Sequence, residues 1–295
     1  MSADNNFILI RDWLEFALGL FSLLCSLMTL LIIYEMKIWN GNLLLITSLT
    51  LFQICYDINF MLGICPGFAA CVIWHILDIF GGLAVAFTTN VISFTVFYVV
   101  HYVQSVNVID NYIYFAIFMI LIPGVFGIMV IFTLETANAD DDKPFTECVY
   151  NSSELANVVA NFYYWSRLAS IGLNSVGFIY VWYRVRQLGF KVEENASQIS
   201  ASTSSDNPLS IFERKAIAVK ALASRMIYYP VAQVITRAGS AWNEYNNYQY
   251  SNNASTIMSA ICGSISGTVL FIVFLVNSFP CPSNYYSFCK ISFPF

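Results

Sequence analysis

Seven long apolar stretches alternate with shorter polar segments along this chain. They cover residues of about 13–34, 42–63, 71–102, 112–133, 159–183, 216–238 and 254–278. Each is long enough to cross a bilayer, which takes about 20 mostly apolar residues in a helix. The runs are continuous and lack the alternation of a barrel strand, so they are expected to form helices. The pattern predicts an all-α membrane protein, a seven-transmembrane helix bundle over residues 1–279.

Composition agrees with this prediction. Hydrophobic residues make up 58% of the chain and charged residues only 11%, whereas a soluble domain carries about 25% charged residues. The chain therefore has little room for a separate soluble domain.

Basic residues are concentrated on one side of the predicted bundle, in the segments that follow the first, third, fifth and seventh stretches. They are Lys37, Arg184, Arg186, Lys191, Arg214, Lys215 and Lys290, together with Lys220 and Arg225 near the inner end of the sixth stretch. Such an excess marks the cytoplasmic side, so the N-terminus is predicted outside and the C-terminus inside. Glycosylation sequons at Asn151 and Asn253 fall on the predicted outer side, and one at Asn195 falls inside.

Two cytoplasmic segments follow from this orientation. Residues 184–215 form the third cytoplasmic loop, which is expected to be partly disordered because 193–208 is rich in Ser and Thr. A kinase-regulated segment and a plain linker both fit this composition. Residues 280–295 form a short cytoplasmic tail.

A disulfide is expected on the outer side. Cys71 opens the third stretch and Cys148 lies in the second outer loop, and both would face an oxidising compartment. Cys65 is the rival partner for Cys148, since connectivity cannot be deduced from sequence.

Ionisable residues inside the apolar stretches indicate a candidate ligand site. At ~1.5 Å per residue, Asp57, Asp78 and Arg167 lie about 9, 10 and 12 Å from the outer ends of their stretches. His75 is one turn above Asp78, and Arg237 ends the sixth stretch. These five residues predict a polar cavity open to the outside, in which Asp78 and Arg167 could pair.

Structural alternatives exist for several of these polar residues. Asp57 also fits a structural or ion-binding group between helices, and Arg237 also fits a side chain that extends to the interface. Asn90, Asn174 and Gln233 lie deeper and are expected to form hydrogen bonds between helices.

Short motifs occur in three of the stretches: Arg-Met-Ile-Tyr-Tyr-Pro-Val-Ala at 225–232, Cys71 with Gly-Gly at 81–82 and Thr-Asn-Val-Ile-Ser at 89–93, and Gly-Ser-Ile-Ser-Gly at 263–267 ahead of Asn277. They resemble motifs of the cyclic-AMP-receptor-like receptors of lower eukaryotes, a group within the G-protein-coupled receptor superfamily. The acidic-Arg-aromatic, Cys-Trp-x-Pro and Asn-Pro-x-x-Tyr signatures of rhodopsin-like receptors are missing. The long Ser/Thr-rich tail of the resembled group is missing too.

The resemblance implies a plasma-membrane receptor that binds a small extracellular ligand and activates a heterotrimeric G protein. Pro230 would kink the sixth helix and act as a hinge. The coupling residues would be Arg184, Arg186, Arg214, Lys215, Lys220 and Arg225. The arginines of the outer cavity allow an anionic ligand.

Other partners and classes are limited by the residues present. Membrane lipids are expected partners, nucleic acid and cofactors are not, and Gly263-x-x-x-Gly267 is a motif compatible with a homodimer. A retinal protein would need a lysine in the seventh stretch, and a metal enzyme would need more than His75 and His101. An enzyme is therefore not expected. The alternative function is a seven-helix transporter or channel for a small polar solute.

Overall fold

The computed structural model describes residues 3–36, 41–62, 68–102, 108, 110–136, 148–151, 153–201, 219, 222–223, 225–247 and 253–278. Nearly all of them are helical, and a helix lies at the position of each of the seven apolar stretches. The described elements are α1 (Ala3–Met36), α2 (Gly41–Leu62), α3 (Phe68–Tyr102), α4 (Tyr112–Ala116), a π-helical turn (Ile117–Leu121), α5 (Ile122–Ile131), β1 (Leu134–Thr136), β2 (Cys148–Tyr150), α6 (Glu154–Ala201), α7 (Tyr228–Asn247), α8 (Asn253–Ser264) and α9 (Ser266–Ser278).

Four segments are long and apolar enough to cross a membrane: Ile10–Met36, Gly41–Leu62, Phe68–Tyr102 and Tyr112–Ile131. The bent pair formed by α8 and α9 makes a fifth if it is counted as one span. Large apolar side chains such as Ile113, Tyr114 and Leu121 are exposed on the surface of the fourth segment, as expected for a helix that faces lipid. A membrane-embedded helical protein is thus supported, while the number of seven spans and their orientation stay predictions.

The fourth segment contains a local change of helix geometry that hydropathy does not predict. The π-helical turn Ile117–Leu121 ends two residues before Pro123. Proline has no N–H to give to the preceding turn, and its ring clashes with the carbonyl four residues earlier. A wider turn ahead of the proline relieves both problems.

The helix of the fifth stretch extends well beyond its predicted end. α6 continues to Ala201, eighteen residues past the predicted end at residue 183, so the first part of the segment predicted as a loop is helical. This part contains Arg, Gln, Lys, Glu and Ala, which are good helix formers. The remainder of the Ser/Thr-rich segment and the tail at 280–295 lie outside the described residues.

The sixth and seventh stretches are each interrupted. Ile227 forms a turn between the helical residues before it and α7, three residues before Pro230. α8 and α9 meet at Ile265 with an angle of 41°.

The helices close into a bundle around α3, which contacts α2, α5, α6 and α7. Around it, α1 packs on α2, α6 on α7, α7 on α8, and both α8 and α9 return to α1. The larger apolar core joins these helices around residues such as Leu45, Ile92 and Phe274. A smaller core around Ile79, Leu83 and Val159 lies near the antiparallel hairpin of β1 and β2. We call this end of the bundle the hairpin end.

Candidate functional site

A small cavity lies between α3, α6 and α7. Its lining consists of Ala86, Arg167, Ser170, Ile171, Asn174, Gln233, Val234 and Arg237. The four residues from α6 are spaced three, one and three apart and therefore share one helix face. Those from α7 are spaced one and three apart and do the same. We call this space the arginine cavity.

Both arginines of the cavity are buried, with only 4% of each residue exposed. Arg237 lies over the ring of Tyr56 at 3.9 Å from its centroid, and Arg167 lies over the ring of Tyr163 at 4.8 Å. Such contacts stabilise a guanidinium that has left water. Arg237 is inside the bundle, so the alternative of a side chain extending to the membrane surface is wrong.

The side-chain hydrogen-bond donors of Arg237 and Gln233 on α7 are only partly paired with acceptors among the described residues. Arg237 Nε donates to Gln233 Oε1 at 3.5 Å. Among the described residues, no acceptor is within hydrogen-bond distance of Nη1 and Nη2 of Arg237 or of Nε2 of Gln233. Buried donors without acceptors are rare in proteins and call for an explanation.

Asp78 is connected to Arg167 of the cavity by contacts with Tyr163. The hydroxyl of Tyr163 lies 3.3 Å from both Oδ1 and the backbone oxygen of Asp78, while the ring of Tyr163 carries Arg167. Asn59 Nδ2 donates to the same carboxylate at 3.4 Å. The described contacts thus connect Asp78 and Arg167 through Tyr163, and their direct pairing stays a prediction.

His75 and Asp57 are not among the residues that line the cavity. The half-buried imidazole of His75 packs on Trp74, with ring centroids 4.4 Å apart. The structure thus does not bring all five predicted ligand residues together. Arg167 and Arg237 line the cavity, and Asp78 contacts Tyr163, which in turn contacts Arg167. His75 and Asp57 lie outside the lining.

Asp57 belongs to a second buried polar region, between α1, α2 and α9. Its carboxylate accepts hydrogen bonds from Ser22 Oγ at 2.9 Å, Ser26 Oγ at 2.9 Å and Gln53 Nε2 at 2.8 Å. Gln53 Nε2 also donates to Ser266 Oγ, and the backbone N–H of Gly267 donates to Ser22 Oγ at 2.8 Å. We call Ser22, Ser26, Gln53, Asp57, Ser266 and Gly267 the Asp57 cluster.

A network of amide and hydroxyl groups joins α3 to α6 and includes Ser170 and Asn174 of the cavity wall. Asn90 Nδ2 donates to Ser170 Oγ at 2.7 Å, Asn174 Nδ2 donates to Asn90 Oδ1 at 3.0 Å, and Ser93 donates to Asn174. The prediction of interhelical hydrogen bonds is confirmed for Asn90 and Asn174. Gln233 instead bonds to Arg237 of its own helix and lines the cavity.

Sequence reasoning missed several residues of these regions. Tyr163, Ser170 and Asn59 carry no charge and therefore gave no signal inside apolar stretches. Ser22 and Ser26 are four residues apart on α1, which places them on one face, but that spacing does not reveal a carboxylate on another helix.

The hairpin end also carries a disulfide-bonded cysteine and a sequon. Cys71 is disulfide-bonded, and α3 contacts β2, which begins at Cys148. The side chains of Cys148 and Cys65 lie outside the described residues, so the pairing stays a prediction. Asn151 donates from Nδ2 to the backbone oxygen of Phe132 at 3.3 Å. The side chain of Asn253 is not described.

The predicted coupling residues are described in part. Arg184 donates to Gln187 at 3.2 Å, and Arg186 lies over the ring of Trp182 at 5.5 Å. The backbone oxygen of Arg225 accepts a hydrogen bond from Asn277 Nδ2 at 2.9 Å, which ties the residues before α7 to α9. Arg214, Lys215 and Lys220 lie outside the described residues.

Comparison with models of known protein families and with curated proteins finds no match.

Proposed function

We propose that this chain is a plasma-membrane receptor with seven transmembrane helices that binds a small extracellular ligand in the arginine cavity and activates a heterotrimeric G protein. The observation that carries the proposal is the cavity itself, in which two buried arginines from α6 and α7 face one space without filling it. Receptor action needs a site on elements that can move relative to each other, and a ligand between two helices biases their separation.

The path from the cavity to the other end of the bundle runs along α7. Arg237 is seven residues after Pro230, about 10 Å along a helix at ~1.5 Å per residue. The turn at Ile227 and Pro230 together weaken the helix below the cavity: the bond from Val231 N to Ile227 O is long, at 3.5 Å. A ligand that draws Arg237 toward α6 would bend α7 at this point.

The bend would act on the segment predicted to meet the G protein. Arg225 precedes the turn, and Asn277 holds its backbone oxygen against α9. Outward movement of this segment breaks that hydrogen bond and exposes the predicted basic residues. Pro230 is therefore the proposed hinge, and Arg184, Arg186 and Arg225 are the described members of the coupling surface.

The proposal is tested by G-protein biosensors in cells that express the chain, challenged with small metabolites enriched in organic acids. A ligand that activates the wild type should lose at least about tenfold in potency on Pro230→Ala, a change of about 1.4 kcal/mol in coupling. Pro123→Ala, which changes a proline in α5 away from the cavity, is the matched control. An unchanged response in Pro230→Ala at equal surface level would refute the hinge.

Orientation is tested separately by glycan mapping. Glycans on Asn151 and Asn253 are expected, and Asn195 should remain unmodified. A glycan on Asn195 would reverse the orientation and with it the assignment of ligand and G-protein sides.

One observation favours the alternative of a transporter or channel. α8 and α9 form a broken helix with a 41° bend, and broken helices hold the substrate sites of many transporters. Uptake of labelled organic acids into proteoliposomes separates the two functions, since a receptor does not accumulate its ligand.

A further inference from the structure

We infer that the arginine cavity binds a single compact monovalent anion, either chloride or the carboxylate of a ligand. This deepens the proposed function and rests on it for the anion's role as a ligand, whereas the binding itself is measured independently. The juxtaposition that carries the inference is Arg167, Arg237 and Gln233 around one small space.

The open hydrogen-bonding capacity of the cavity consists of donors. Nη1 and Nη2 of Arg237 and Nε2 of Gln233 are buried and lack acceptors among the described residues, and each of these two residues is no more than 4% exposed. A buried donor without an acceptor is unfavourable by about 1–3 kcal/mol, and more when it is charged. The site therefore favours an occupant that accepts several hydrogen bonds at once.

The acceptors of the lining are already engaged. Ser170 Oγ accepts from Asn90, and Asn174 Oδ1 accepts from Ser93. A water molecule could satisfy two donors, but its own two protons would then need acceptors. An anion accepts from every donor and has no protons to place, and it gains further from the guanidinium charges in a site shielded from water.

The size of the space selects a compact anion. The cavity measures about 10 Å³, which is close to the room that one water molecule needs. Chloride, or the two oxygens of a carboxylate, is closer to this size than a tetrahedral phosphate is.

The test uses the purified full-length protein in nanodiscs, with thermal unfolding followed by tryptophan fluorescence. Sodium gluconate is replaced by sodium chloride at constant ionic strength. For about 150 mM chloride and a dissociation constant of about 10 mM, the midpoint should rise by roughly 3–6 °C and saturate. Equal midpoints in chloride and gluconate would overturn the inference.

Two variants make the result specific. Gln233→Glu places a carboxylate beside Arg237, so it should match the chloride-bound midpoint without chloride and respond no further. Arg11→Gln, whose arginine pairs with Asp12 on α1, should keep the wild-type response. A chloride effect that persists in Gln233→Glu would assign the effect to another place and refute the site.

Formate and phosphate arms distinguish the sources of the anion. Formate should reproduce the chloride effect and compete with it, which supports a carboxylate ligand. A larger saturable effect of phosphate, absent in Gln233→Glu, would overturn the assigned size.

Chloride stabilisation without any G-protein response would refute the receptor function and leave the anion site standing. A ligand response without a chloride effect would remove only the anion site.

Discussion

Two buried polar regions lie side by side in this bundle and differ in how their hydrogen bonds are matched. Tyr56 carries Arg237 of the arginine cavity on its ring, and the next residue, Asp57, is the centre of the Asp57 cluster. In the cluster, three donors meet one carboxylate at 2.8–2.9 Å, and only Gln53 Oε1 has no partner among the described residues. In the cavity, Nη1 and Nη2 of Arg237 and Nε2 of Gln233 have no acceptor within the described part of the chain.

The difference separates a region that holds helices together from one that binds something else. Matched polar groups between helices stabilise the fold, and removing one partner leaves the others buried and unsatisfied. Unmatched donors beside a space destabilise the empty state, so their removal should be tolerated by the fold. The comparison therefore predicts opposite responses to mutation in two neighbouring places.

The largest effect is expected for Asp57→Ala. The change leaves Ser22, Ser26 and Gln53 without their common acceptor, and each buried unsatisfied donor is unfavourable by about 1–3 kcal/mol. A loss of at least about 3 kcal/mol is expected, seen as a lowered thermal midpoint and little monodisperse protein after detergent extraction. Asp57→Asn is the control, since its amide oxygen keeps one acceptor. Normal folding of Asp57→Ala would show that the cluster does not hold the helices.

The next effect tests the packing of the same cluster. A Cβ at Gly267 would lie 2.5 Å from Ser22 Oγ and Ser26 Oγ and 2.7 Å from Asp57 Oδ2, too close for real atoms. Gly267→Ala should therefore lose about 1–3 kcal/mol, as overpacked cores do, measured by thermal unfolding. Gly172→Ala is the matched control, because nothing lies within 4 Å of a Cβ there and alanine is the better helix former. Equal midpoints for the two variants would contradict the packing.

The opposite response is expected for Arg237→Gln in the cavity. The lost stacking on Tyr56, about 0.5–2 kcal/mol, is offset by removal of a buried charge with unsatisfied donors. Stability without ligand should thus change by less than about 1 kcal/mol, whereas ligand potency in the G-protein assay should fall at least tenfold, about 1.4 kcal/mol. Unfolding as severe as that of Asp57→Ala would place Arg237 with the structural groups.

Hydropathy alone placed a helix within each apolar stretch but did not give all of the bounds, since α7 ends at Asn247 and the sixth stretch was predicted to end at residue 238. Each apolar stretch contains a described helix, because a membrane-length apolar run leaves the backbone no other way to satisfy its polar groups. It could not locate the interruptions at Ile227 and Ile265 or the π-helical turn before Pro123. These depend on one or two residues and on contacts between helices, while hydropathy averages over about 20 residues.

For the site, the charged residues could be recognised from the sequence, but the residues that they contact could not. Arg167, Arg237 and Asp78 stood out because ionisable groups are rare in apolar stretches. Their arrangement depends on neutral Tyr163, which joins two of them. Asp57 stood out for the same reason, yet its serine partners on α1 gave no signal, so sequence reasoning did not predict the hydrogen bonds that hold it between α1 and α2.

The smallest effect is expected in the network that joins α3 to α6, where structure and cavity meet. Ser93 and Ser170 each bond to an asparagine of the network, but only Ser170 lines the cavity. Interhelical hydrogen bonds in membranes contribute about 0.6 kcal/mol on average, so Ser93→Ala and Ser170→Ala should lower the thermal midpoint by similar small amounts.

The two serines should differ in their response to anions. Ser170→Ala changes the wall of the cavity and leaves an amide donor of Asn90 without its acceptor, so the midpoint shift with chloride should change. Ser93→Ala keeps Ser170 in the wall and removes only the hydrogen bond to Asn174, so its chloride shift should stay closer to that of the wild type. Because the two variants remove the same hydroxyl from the same network, a difference confined to the chloride response would locate the anion on the Ser170 side. Identical chloride responses would show that the polar wall of α6 takes no part in binding.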